Sequence, residues 1–78
     1  MDKKEILDKL QAIFSTIFDG VQISESTTSS DIENWDSLAN IKILMMVEKE
    51  FNISIDVSLI HHLTSVSQII DIINKSIK

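Results

Sequence analysis

The chain is expected to be all-α, with three substantial helices and one short one. Three observations carry this. Apolar residues recur at helical spacing in three separate segments. Glycine and proline, which a sheet with many tight turns needs, are almost missing: Gly20 is the single glycine and there is no proline. The length of 78 residues allows one domain, residues 1–78. A domain of this size buries only about 60% of its unfolded surface, so each helix must contribute to one shared core.

The first segment places Ile6, Leu7, Leu10, Ile13, Phe14, Ile17 and Phe18 on one continuous stripe. Asp2 and Glu5 stand at capping-box spacing and Gly20 is a natural stop, which predicts a helix from about Lys3 to Asp19. Residues Val21 to Trp35 form a long connection rich in serine and threonine, which compete with helix by bonding the backbone locally. Connections this long in a compact domain are uncommon. Val21, Ile23, Ile32 and Trp35 can pin its two ends to the core, so it is expected to be ordered.

The second helix is expected from about Ser37 to Glu50, with Asp36 as N-cap. Its apolar residues (Leu38, Ile41, Ile43, Leu44, Met45, Met46, Val47, then Phe51) cover more than one face. Such a surplus means either a central helix or an exposed recognition patch, and composition alone leaves both open. Phe51, Ile53 and Ile55 alternate with polar residues at strand period. No other segment shows that pattern to pair with, so this stretch reads as an extended connection plugging the core. Val57 to His62 is expected to form the short helix. The last helix starts at Ser65, with Ser65 and Gln68 as its capping box and Val66, Ile69, Ile70, Ile73 and Ile77 as its stripe.

Several function classes are disfavoured. Without cysteine there is neither a disulfide framework nor a thiolate metal site, and cysteine-free composition is compatible with the expected cytoplasmic location. The N-terminal segment is interrupted by Asp8 and Lys9, unlike a signal peptide, and no membrane span is expected. A net charge of −5 without a basic stripe argues against nucleic acid; an acidic domain suits basic protein partners, but charge alone reads more simply as an aid to solubility. Gly-x-Ser-x-Gly is absent, and nothing brings His61 or His62 to a serine. Adjacent histidines also point apart on a helix, so both read as solvated surface and no metal or catalytic residue is assigned.

One residue remains chemically distinctive. Ser37, in Asp36-Ser37-Leu38, sits where a polar loop becomes an apolar helix. In the first turn its hydroxyl is exposed beside free backbone N–H groups, a setting that suits a phosphate ester. Ser37 therefore reads as the attachment point of a phosphate-linked prosthetic arm.

The chain resembles the acyl carrier proteins and their peptidyl carrier relatives. Asp36-Ser37-Leu38, the helix from Ile41 to Phe51, Ile53-Ser54-Ile55, and Thr64-Ser65-Val66 leading into the isoleucine-rich final helix carry the resemblance. The resemblance implies a four-helix bundle with a long first loop. It implies that Ser37 receives 4′-phosphopantetheine from coenzyme A through a phosphopantetheinyl transferase (a magnesium-dependent holo-carrier synthase). The arm's thiol would then carry acyl groups as thioesters, presented at high effective concentration to acyl-loading and acyl-transfer enzymes. The protein itself would be a non-catalytic monomer. By position, Asp36, Leu38, Ile41, Met45 and Glu48 would contact partners, while Ile43, Met46, Val47 and Phe51 would face the core.

The pattern departs from carriers of fatty-acid synthesis. Trp35 stands where a small residue is usual, Asn34 replaces the glycine of Gly-x-Asp-Ser-Leu, and Ala39, Lys42 and Lys49 occupy positions often acidic. These departures suggest a specialised lipid, surface-carbohydrate or secondary-metabolite pathway. An aminoacyl or peptidyl carrier is the near alternative. A helical interaction module without prosthetic group is the alternative of another class.

Overall fold

The computed structural model describes residues 2–56, 58–59 and 63–77. The order of elements is α1 (Lys3–Ile17), a short 3-10 turn (Ser29–Asp31), α2 (Ser37–Phe51) and α3 (Val66–Ser76). Among the described residues there is no strand, only an isolated antiparallel bridge between Thr28 and Ser65. The fold is all-helical, as expected. Of the expected short helix at Val57 to His62, Ser58 and Leu59 form one 3-10 turn and the rest, with His61 and His62, lies outside the described residues.

Helix starts follow their caps. Asp2 accepts the Glu5 N–H at 2.8 Å, Asp36 accepts the Ala39 N–H at 2.9 Å and Ser65 accepts the Gln68 N–H at 3.2 Å. The capping box at α3 is offset from its expected form. Gln68 accepts from the backbone N–H of Thr64 at 2.7 Å, one residue before the cap. Helix ends follow backbone handedness. α1 stops at Ile17, two residues before the expected Asp19, because Asp19 already adopts φ +48° and Gly20 follows at +81°. α2 runs one residue past Glu50 and stops when Asn52 turns left-handed at φ +54°, with the Ile53 N–H returning to the Glu48 carbonyl.

α1 is the element against which α2 and α3 both pack. It buries Ile6, Leu10, Ile13 and Phe14; α2 contributes Ile43, Leu44, Val47 and Phe51; α3 contributes Val66, Ile69, Ile70 and Ile73. Met46, expected in the core, is partly buried at its edge. Ile55 is buried and Ile53 half-buried, so the alternation after α2 does plug the core from an extended segment.

The long connection is held by specific bonds as well as by its apolar ends. Gln11 of α1 donates to the Val21 carbonyl at 2.7 Å and accepts the Ile23 N–H at 2.8 Å, bonding as a strand edge would. Farther on, the Ser29 N–H reaches the Thr64 carbonyl at 2.7 Å and the Val66 N–H reaches the Thr27 carbonyl at 2.9 Å. The loop is thus stitched to α1 at one end and to the start of α3 in its middle. Asp31 accepts the Thr28 N–H at 2.9 Å, which closes the 3-10 turn.

Removing the Gln11 side chain strands two partly buried backbone groups. Gln11→Ala is expected to lower unfolding free energy by about 1–2 kcal/mol. Urea unfolding followed by circular dichroism checks this; an unchanged midpoint would show that water replaces the clamp without cost.

Candidate functional site at the start of the second helix

Approaching α2, the chain turns sharply. Asn34 adopts φ +73°, a left-handed conformation that costs most L-residues about 1–2 kcal/mol and that asparagine tolerates better than most. This explains how asparagine can stand where the related motif has glycine: the turn requires the conformation, and both residues can adopt it. Trp35 then turns inward. Its ring meets Phe14 edge-on, with centroids 5.2 Å apart, and lies 6.2 Å from Phe18. Its indole N–H donates to the side-chain oxygen of Asn40, whose amide in turn donates to the Leu63 carbonyl at 3.1 Å. Asn40 is the buried polar residue of α2. No buried side-chain nitrogen or oxygen among the described residues lacks a partner.

With Trp35 fixed inside, the next residues face out. Asp36 caps the helix through the Ala39 N–H, and its carbonyl accepts the Asn40 N–H at 3.0 Å. Ser37 is the first residue of α2 and is exposed. Its own N–H and that of Leu38 belong to the unpaired first turn, and among the described residues they make no hydrogen bond. The site therefore offers an accessible hydroxyl, two free backbone donors and the positive end of a helix dipole. A phosphodiester on that oxygen fits without rearrangement. The neighbouring Asp36 carboxylate carries a charge of the wrong sign, but it is turned onto a helix N–H that offsets part of it.

The surplus apolar residues of α2 resolve into two faces. Ile43, Leu44, Val47 and Phe51 are buried, whereas Leu38, Ile41 and Met45 are 62%, 41% and 64% exposed. From Leu38 through Ile41 and Met45 to Glu48 the steps are three, four and three, and Ile41 stands four residues after Ser37, so they line one face below the hydroxyl. Glu48 is half-buried and spends one carboxylate oxygen on the Ile55 N–H at 2.7 Å, a structural tie that sequence spacing does not reveal. Lys42 and Lys49 flank this face and are exposed. Asn40 was absent from the candidate residues: a polar residue in a helix gives no sign of burial until its partners are known.

A family model described as a phosphopantetheine attachment site matches residues 8–73. The chain belongs to the acyl carrier protein family. An acyl carrier protein of Cyanidioschyzon merolae (strain NIES-3377 / 10D) is 36% identical over 76 residues, covering 94% of this chain and 82% of that protein. One from Guillardia theta is 30% identical over 80 residues, covering 99% and 98%. The solution NMR structure of a holo acyl carrier protein from Geobacter metallireducens superposes with a TM-score of 0.75 at 29% identity, over 91% of this chain and 84% of that one. The prosthetic group of this carrier is phosphopantetheine, held covalently.

The left-handed turn before the serine yields a test. Asn34→Gly is expected to leave stability within about 0.5 kcal/mol, whereas Asn34→Val is expected to cost about 1–2 kcal/mol. Thermal unfolding of both variants distinguishes them; equal losses would show that the asparagine side chain, rather than backbone conformation, matters there.

Proposed function

We propose that Ser37 is the residue esterified by 4′-phosphopantetheine and that the protein presents acyl thioesters on this arm to partner biosynthetic enzymes. The observation that carries the reading is the exposed hydroxyl at the unpaired, positive end of α2, with the body of the protein packed away from it. The arm, when bound, supplies the thiol on which acyl groups travel. The chain's own residues hold and orient: Asp36 fixes the first turn, the donors of Ser37 and Leu38 face the phosphate, and the Trp35–Asn40 bond keeps the turn from rotating inward. In this reading the carrier performs no chemistry itself.

Partner enzymes dock on the face formed by Asp36, Leu38, Ile41, Met45 and Glu48. Three large apolar side chains exposed in a row beside the attachment point are costly unless something covers them. Glu48 contributes through the oxygen left free of Ile55. The phosphopantetheinyl transferase and the loading and transfer enzymes all act at Ser37 or its arm, so all use this face. Lys42 and Lys49 make it less negative and tune which partners it accepts. That departure supports a specialised lipid, surface-carbohydrate or secondary-metabolite pathway. The working form is a cytoplasmic monomer, which fractionation of the native host and sedimentation of the purified protein test.

Incubation with coenzyme A, magnesium and a phosphopantetheinyl transferase is expected to add one arm, and Ser37→Ala is expected to abolish the addition while retaining helicity. Intact mass and peptide mapping read the result; an arm on another serine, or none with several transferases, defeats the assignment. Met45→Asp is expected to raise KM for partner enzymes roughly tenfold or more while the thermal midpoint changes little, since Met45 is exposed. Loss of helicity in that variant would place Met45 in the core instead.

A further inference from the structure

The chain carries three phenylalanines and one tryptophan, and all of these except Phe51 meet beside the start of α2. Trp35 stands edge-on to Phe14, Phe18 lies against both, and the Phe14 and Phe18 ring centroids are 5.7 Å apart. Phe14 is fully buried, Trp35 is buried and Phe18 is half-buried. On the other side of Ser37 in sequence, Ala39 and Asn40 are buried too. The exposed serine is therefore bracketed by inward residues, Trp35 before it and Ala39 and Asn40 after it. Polar bonds close the same region. Trp35 donates to Asn40 and Asn40 donates to the Leu63 carbonyl, so α2 is tied to the segment that leads into α3.

We propose that Trp35, held by Asn40, determines cargo specificity: it closes the helical interior to a group tethered at Ser37, so that this carrier takes short acyl groups and not long alkyl chains that need shelter from water. The proposal rests on the reading of Ser37 as the attachment point. An alkyl chain that enters the bundle here gains from burial in proportion to its length. The costs of entry do not depend on length. The indole must leave its packed place between Phe14 and Phe18. Its N–H, the Asn40 carboxamide and the Leu63 carbonyl must give up bonds made away from water. A close-packed interior must also expand to admit new volume. A short chain does not recover these costs, and a long chain kept outside stays exposed. The related motif has a small residue at this position, which would occupy less space and carry no indole N–H to satisfy. The bulk and the hydrogen bond of Trp35 thus act together, and both are properties of this chain.

The test loads the full chain in parallel from acetyl-coenzyme A and octanoyl-coenzyme A with a phosphopantetheinyl transferase and magnesium, and checks complete loading by intact mass. Three readouts follow the cargo: the thermal midpoint, the emission of Trp35, which is the single tryptophan, and the methyl shifts of the fully buried Ile43 and Ile69. In the unaltered protein the acetyl and octanoyl forms are expected to melt within about 1 °C of each other, with the same emission maximum and the same methyl shifts. Trp35→Ala combined with Asn40→Leu opens space and removes both side-chain partners. There the octanoyl form is expected to melt about 4 °C or more above the acetyl form, with the Ile43 and Ile69 methyls shifted between them. Trp35→Phe keeps a ring and drops the N–H, and is expected to show a smaller difference of the same sign. A higher octanoyl midpoint or a moved Trp35 emission in the unaltered protein overturns the proposal. So do equal midpoints in the unaltered protein and in both variants, because something other than Trp35 would then close the interior. Unfolding of both variants would make Trp35 a support of the whole fold and would also overturn the role assigned to it. All these outcomes leave the arm on Ser37 intact, whereas no arm on the unaltered protein removes the carrier reading together with the proposal.

Discussion

The carboxamide of Asn40 ties the functional end of the molecule to its interior. Its oxygen takes the indole N–H of Trp35 and its amide gives a hydrogen to the Leu63 carbonyl, all away from water. A buried carboxamide is costly unless such partners exist, and leaving one of them unpaired costs about 1–3 kcal/mol. That requirement joins three parts of the chain: the end of the long connection, the first turn of α2 and the segment leading into α3. With Trp35 pinned inward and Asp36 turned onto the helix, the residue between them and the core stripe has one direction left, toward solvent. Ser37 is displayed because its neighbours are fixed.

The same tie accounts for Trp35, the bulkiest departure from the related motif. A large aromatic residue before the serine needs both space and a partner for its N–H. Phe14 and Phe18 of α1 provide an aromatic wall, and Asn40 provides the acceptor. The substitution of a large residue for a small one is thus accommodated by at least three other positions. The left-handed Asn34 is a parallel case, where the backbone requirement of a turn is met by a different side chain.

How much of this could be read from the residues follows from the range of each interaction. Local features were legible: the caps at Asp2, Asp36 and Ser65, the apolar stripes, and the exposure of a first-turn serine all depend on residues within a turn or two. The start of α2 and its cap are observed where the local signals put them. The end of α1 was placed two residues late, because the left-handed backbone of Asp19 anticipates the glycine. The two faces of α2 could not be separated by composition, since Leu44 and Met45 are both large apolar residues and only the packing of the rest of the fold decides that Leu44 is covered and Met45 is not. Non-local polar contacts were invisible. Gln11 bridging to residues 21 and 23, the Thr28–Ser65 bridge, Glu48 holding Ile55 and the Asn40 network join residues between 5 and 37 positions apart, and no periodicity encodes them.

Display without chemistry is what a carrier requires, and it places demands on rigidity as well as exposure. The proposed attachment point, Ser37, sits in the capped first turn of α2, and Leu38, Ile41 and Met45 are exposed beside it. The most direct test is intact-mass and peptide-mapping analysis of the protein isolated from its native host. A single phosphopantetheine adduct on Ser37, bearing an acyl thioester in part of the population, is the expected result. A protein recovered without any adduct, or one modified elsewhere with Ser37 bare, would contradict it.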